Sequence, residues 1–146
     1  MANADSVGQT TQDYFSNYLL GKVRATALNT AGNAVVTIPI LSGGLTNGPS
    51  IAASGGVIVR RVTIQNPSGS VATANVSLGF TNNGANLVTA NTVLTSVSAA
   101  GTFVDLSTTA TFVSGNVTQC MYVNVNTASG NANTVDIAVW GDVVNF

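Results

Sequence analysis

From position 22 onward the chain alternates between apolar and polar side chains. Val36, Ile38 and Ile40 fall on one face of an extended segment, and Thr37 and Pro39 fall on the other. A period of two is that of a half-buried β-strand. Segment 56–66, GVIVRRVTIQN, is the strongest strand, and its apolar phase breaks at Arg60-Arg61. A β-bulge there returns Val62 and Ile64 to the core. Ala72, Ala74, Val76, Leu78 and Phe80 alternate with Thr73, Asn75 and Ser77. Met121, Val123 and Val125 alternate with Tyr122, Asn124 and Asn126, and Val135, Ile137 and Val139 with Asp136, Ala138 and Trp140. Shorter strands are predicted over 23–27, 102–106 and 110–113, while 87–98 has no clear period. Pro39 cannot donate to a ladder and marks an edge or a strand end. Asn66-Pro67-Ser68-Gly69 and segment 82–86 read as turns, and 41–56 as a long loop rich in Gly and Ser. Short strands at such spacing predict an all-β chain, an antiparallel β-sandwich of the jelly-roll or Greek-key kind.

The first twenty residues have a different texture. Tyr14 and Tyr18, and Phe15 and Leu19, stand four apart, which predicts one short amphipathic helix over 11–20. Thr10, Thr11 or Asp13 is available to cap it, and Gly21 stops it. The helix either folds onto its own domain or reaches a neighbour as a docking arm. The chain accordingly divides into an N-terminal arm, 1–21, and a sandwich domain, 22–146.

Charge changes the picture by its scarcity. Only 6% of the 146 residues are charged, four Lys or Arg and five Asp, and there is no His. Solubility therefore rests on hydroxyls and amides, and a surface this poor in charge suits contact with other copies or another protein. Lys22, Arg24, Arg60 and Arg61 are too few for a phosphate-binding footprint, so nucleic acid is not an expected partner. No run of about 18 apolar residues and no polybasic segment points to a membrane. The opening fifteen residues have neither the basic nor the apolar region of a secretory signal, which predicts synthesis in a cytoplasm.

Catalytic chemistry finds few carriers. Serine or cysteine nucleophiles want a base beside them, usually His. Cys120 is the single cysteine, which excludes an intrachain disulfide and reads as a small, partly buried residue. A carboxylate-only glycosidase would need two of Asp5, Asp13, Asp105, Asp136 and Asp142 facing each other. Asp136 and Asp142 share one strand register but read more simply as solvent-facing. Arg60-Arg61 has Asp105 or Asp136 as possible partners. No zinc or calcium ligand pattern is present, and Asn75-Val76-Ser77 and Asn116-Val117-Thr118 carry little weight as glycosylation acceptors. The chain is expected to be no enzyme, with no catalytic residues, no metal and no cofactor. Tyr122 and Trp140 lie on the polar parity of their strands. Aromatic rings there suit a subunit interface or a carbohydrate platform, or belong to the core if the parity is reversed.

Segment 59–70, VRRVTIQNPSGS, followed by 72–79, ATANVSLG, resembles the small β-sandwich decoration, or cement, proteins of tailed bacteriophage capsids. Segments 122–128, YVNVNTA, and 134–141, TVDIAVWG, add to the likeness, which covers most of 56–146. It implies a virion protein on the outer capsid surface, a homotrimer that binds the major capsid protein and bridges capsomers. No catalytic residues carry over. Under that reading Tyr14, Phe15, Tyr18, Leu19 and Leu20 are the capsid contact and Tyr122 and Trp140 the subunit interface. The rival is a tail or fibre module that binds a host-surface glycan through Trp140 and Tyr122.

Overall fold

The computed structural model describes residues 13–40, 56–109, 112–114 and 120–145. They form nine strands: β1 Asp13–Ala27, β2 Gly32–Pro39, β3 Gly56–Gln65, β4 Asn75–Gly79, β5 Thr92–Val93, β6 Phe103–Leu106, β7 Phe112–Ser114, β8 Cys120–Thr127 and β9 Thr134–Asn145. All pairings are antiparallel. One sheet runs β1-β9-β3-β6, with β7 also on β3, and the other runs β2-β8-β4-β5.

The winding is a set of nested pairs. β1 holds β9, β2 holds β8, β3 holds β6 and β4 holds β5, and successive pairs fall alternately in the two sheets. A long hairpin folded over itself in this way is an antiparallel β-sandwich wound as a jelly roll, one of the two windings expected. β6 and β7 are two halves of one interrupted edge. β6 pairs with the second half of β3, and β7 with its first three residues.

Between the sheets lies one apolar core. Val57, Val59, Val62, Ile64, Val135, Ile137 and Val139 of the first sheet face Ile38, Val76, Leu78, Met121 and Val123 of the second. Each such side chain contributes about 1.5–3 kcal/mol through burial. The bulge expected at the paired arginines is present. Val59 pairs with Gly141 and Arg61 with Trp140, which leaves Arg60 as the extra residue. Without it Val62 and Ile64 would point to the outside. The Arg60 carbonyl that the bulge pushes out accepts a hydrogen bond from the Thr108 hydroxyl at 2.8 Å, in the gap between β6 and β7. Pro39 ends β2 on an edge, as its missing N–H requires.

Several expectations are corrected. Residues 13–20 form no helix; they are the first half of β1, paired with β9 from Asp13↔Asn145 onward. Positions 1–12, with the expected caps Thr10 and Thr11, lie outside the described residues. Tyr, Phe, Asn and Ser are indifferent helix formers, and the aromatics favour a strand. Gly21 stops nothing, because β1 runs straight through it, so the division placed at 21/22 falls inside a strand. Its role is close approach: a Cβ there would stand 2.5 Å from the Pro39 carbonyl oxygen of the facing sheet. β4 begins only at Asn75, because Ala72 and Thr73 form a turn closed by Ala74 N–H to the Val71 carbonyl at 2.9 Å. Segment 87–98 is mostly irregular, with β5 and isolated bridges at Leu87 and Thr89. The long loop at 41–55, residues 110–111 and the Asn116 triplet lie outside the described residues.

Candidate functional site

The outer face of the β1-β9-β3-β6 sheet collects side chains that are far apart in sequence. Gln65 stands between Phe103 on β6 and Asp136 on β9, and Thr63 between Asp105 and Ala138. Arg61 lies beside Trp140. Since Val62, Ile64, Leu106, Ile137 and Val139 face the core, strict alternation turns these neighbours outward. The Arg60 bulge is what turns the face shared by Arg61, Thr63 and Gln65 outward.

Arg61, Thr63, Gln65, Phe103, Asp105 and Trp140 line an open depression of about 220 Å³. At its floor the Thr63 hydroxyl, nearly buried, donates to Asp105 Oδ1 at 2.5 Å. Among the described residues Asp105 Oδ2 has no partner, and no ion pair joins Asp105 to Arg61. The Arg61 guanidinium instead lies over the Trp140 ring, 5.4 Å from its centroid, a cation–π contact. Phe103 is 60% exposed at the rim, a large apolar ring left in water.

Beside this depression stand two buried aspartates, against the expectation that Asp136 and Asp142 face solvent. They are 8% and 4% exposed. Asp142 Oδ2 accepts from Arg60 Nε at 2.8 Å, and among the described residues no ion pair joins Arg60 to Asp105 or Asp136. Asp136 lies 3.7 Å from Lys22 Nζ, accepts the Ala25 backbone N–H at 3.0 Å on Oδ1, and accepts Asn66 Nδ2 at 3.4 Å on Oδ2. Ala25 and Asn66 both have left-handed backbones, φ 50° and 54°. One carboxylate therefore fastens the β1 bulge and the end of β3 together. Burial pushes its pKa up, but the Ala25 and Asn66 hydrogen bonds and the charges of Lys22 and Arg24 outweigh that and hold it below the usual carboxylate range. These groups are structural ties. Among the described residues no three His, Cys, Asp or Glu come together as metal ligands.

Tyr122 and Trp140 both take the outward parity of their strands, half-buried, but on different sheets. They face opposite sides of the sandwich and do not make one platform. Cys120, half-buried, begins β8 opposite Pro39. Of the five residues expected as a docking arm, Leu20 is fully buried in the core and Tyr18 packs against that core. Leu19 lies beside Trp140 in register. Tyr14 and Phe15 pair through the backbone with Val144 and Val143; their side chains lie outside what is described.

A second surface feature is apolar. The large hydrophobic side chains that are exposed among the described residues, Leu87, Val93, Phe103 and Phe112, all stand on one margin of the sandwich. That margin is formed by β5 and its approach in one sheet and by β6 and β7 in the other. The two edges are tied by Thr109 N–H to the Val88 carbonyl at 2.8 Å and by the Thr89–Thr108 bridge. Nothing in the sequence marks Thr63, Gln65 and Phe103 as a site, and Arg61 and Asp105 stand out there only as charges. Their outward parity was readable, but the adjacency of β3, β6 and β9 was not. No protein-family model matches the chain, and no curated protein or solved structure matches it either.

Proposed function

We propose that this chain is a non-enzymatic structural protein of a virion, a decoration or cement protein that self-associates as a homotrimer on the outer capsid surface. The observation that carries the reading is the margin of Leu87, Val93 and Phe112 on a chain with almost no charge. Sheet edges offer unpaired backbone groups, and proteins that remain single copies usually blunt them with charge. Here the edges carry apolar side chains, which suits burial against further copies. The opposite margin, made by β1 and β2, carries Tyr18 and Leu19 and is left to contact the major capsid protein. The jelly-roll winding is compatible with this role but does not imply it.

Sedimentation of the purified chain at micromolar concentration tests the assembly. A trimer is expected, reduced to monomer by Val93→Asp with Phe112→Asp, and a clean wild-type monomer refutes it. A mass-spectrometric inventory of purified phage particles that carry the gene tests the location. The chain is expected in fixed ratio to the major capsid protein, and its absence from the particles overturns the reading.

A further inference from the structure

We infer that the depression on the outer face of the β1-β9-β3-β6 sheet is a binding site for a neutral saccharide, with Phe103 as the stacking ring and Asp105 and Arg61 as the hydroxyl-binding groups. The inference stands on different residues from those that carry the assembly reading, and it does not depend on the structural role.

Charge balance selects the ligand class. Arg61 and Asp105 share the depression without an ion pair between them among the described residues. An anion placed there meets the Asp105 carboxylate, and a cation meets the guanidinium. A polyol does neither, since each hydroxyl both donates and accepts. Asp105 is prepared for such a ligand. Thr63 holds one carboxylate oxygen at 2.5 Å, which leaves the other to accept from a donor outside. Arg61, lying over Trp140, presents N–H donors, and Gln65 supplies an amide with donors and an acceptor. The remaining requirement is a flat apolar surface for the C–H face of a sugar ring, and Phe103 at the rim is that surface. Trp140 already carries the guanidinium and forms the wall. A volume of about 220 Å³, open to solvent, suits one ring of a longer chain rather than an enclosed small molecule.

The chain's single tryptophan makes the site its own reporter. The full-length protein is titrated with neutral oligosaccharides built on glucose, galactose, mannose and N-acetylglucosamine, and Trp140 fluorescence is read. At least one series is expected to give a saturable change. Asp105→Ala and Phe103→Ala should each weaken it about ten-fold or more, the loss of one good hydrogen bond or stacking contact. Tyr122→Ala, on the opposite sheet, should leave it unchanged. Thermal melts identify any variant that has lost its fold. Wild-type protein gives an independent readout by ligand NMR, where ring protons of the bound sugar should move upfield over Phe103. No response at tens of millimolar from every neutral series overturns the inference. So does retention of full binding by both folded variants, or preference for uronic or sialic acids over neutral sugars.

Discussion

Asp136 is the most informative residue to remove, because three partners converge on it, Lys22 and Ala25 from β1 and Asn66 from the turn after β3. Asp136→Ala leaves the Ala25 N–H, 3.0 Å from Oδ1, without its acceptor inside a strand bulge, at about 1–3 kcal/mol. Lys22, 3.7 Å away with a side chain 26% exposed, adds about 0.2–1 kcal/mol. The Asn66 contact at 3.4 Å is long and open to water, and its loss adds little. The sum is about 1–4 kcal/mol, a fall in Tm of about 2–16 °C for a domain of this size. Asp136→Asn keeps an acceptor for Ala25 and loses only the charge, so its deficit is smaller and depends on pH. The folded-state pKa is depressed. The stabilisation is therefore fully present above the ordinary carboxylate value of about 4 and is lost as pH falls through the lower folded value. Urea denaturation of the wild type and of Asp136→Asn, from pH 7 to pH 2, checks this. The substitution should cost stability at pH 7 and approach the wild type at the acid end. An equal deficit at every pH would assign the effect to packing, and no deficit at pH 7 would refute the ion-pair reasoning.

The paired arginines should separate in the same assay. Arg60→Ala removes a charged hydrogen bond of 2.8 Å to buried Asp142 and, with Arg60 itself 45% exposed, should cost about 1–2 kcal/mol. Arg61→Ala loses an exposed cation–π contact of about 0.5–1 kcal/mol; a larger loss at Arg61 than at Arg60 would reverse the roles assigned to them. Gly141→Ala should be among the harshest small changes on the sheet, because its Cβ would collide with the Ile58 carbonyl oxygen of the neighbouring strand. The expected loss of at least about 3 kcal/mol is read as soluble yield and Tm, and a variant that melts with the wild type would show that β3 and β9 can move apart.

How much of this was legible follows from what alternation encodes. A period of two marks which face of a strand is buried, so the core of β3, β4, β8 and β9, the Arg60 bulge and the outward parity of Tyr122 and Trp140 were all readable. The helix over 11–20 failed for a related reason: residues four apart share a face in a helix and also in a strand, so the Tyr14–Tyr18 and Phe15–Leu19 spacing did not discriminate. Parity also misled at Asp136 and Asp142. Both are on the outward side, yet both are buried, and no pattern within β9 announces the cations that cover them. The depression was invisible because it depends on register between strands. Phe103 and Asp105 meet Gln65 and Thr63 only once β6 is docked on β3.

The nested pairing also dictates when the fold can exist. β9 lies between β1 and β3, so the first sheet is two unconnected pieces until residues near 134–145 arrive, and β2 likewise waits for β8. Such a chain closes its largest loops to make its central contacts, which slows folding. During synthesis β1 and β2 leave the ribosome as apolar strands with no partners, and β3 and β4 each wait with one edge open for β9 and β8. The time between their emergence and that of β9 is when this charge-poor sequence is most exposed to pairing with the wrong copy. Nascent chains halted before residue 134 should accordingly remain open to protease, and those released after 145 should become resistant only after a delay.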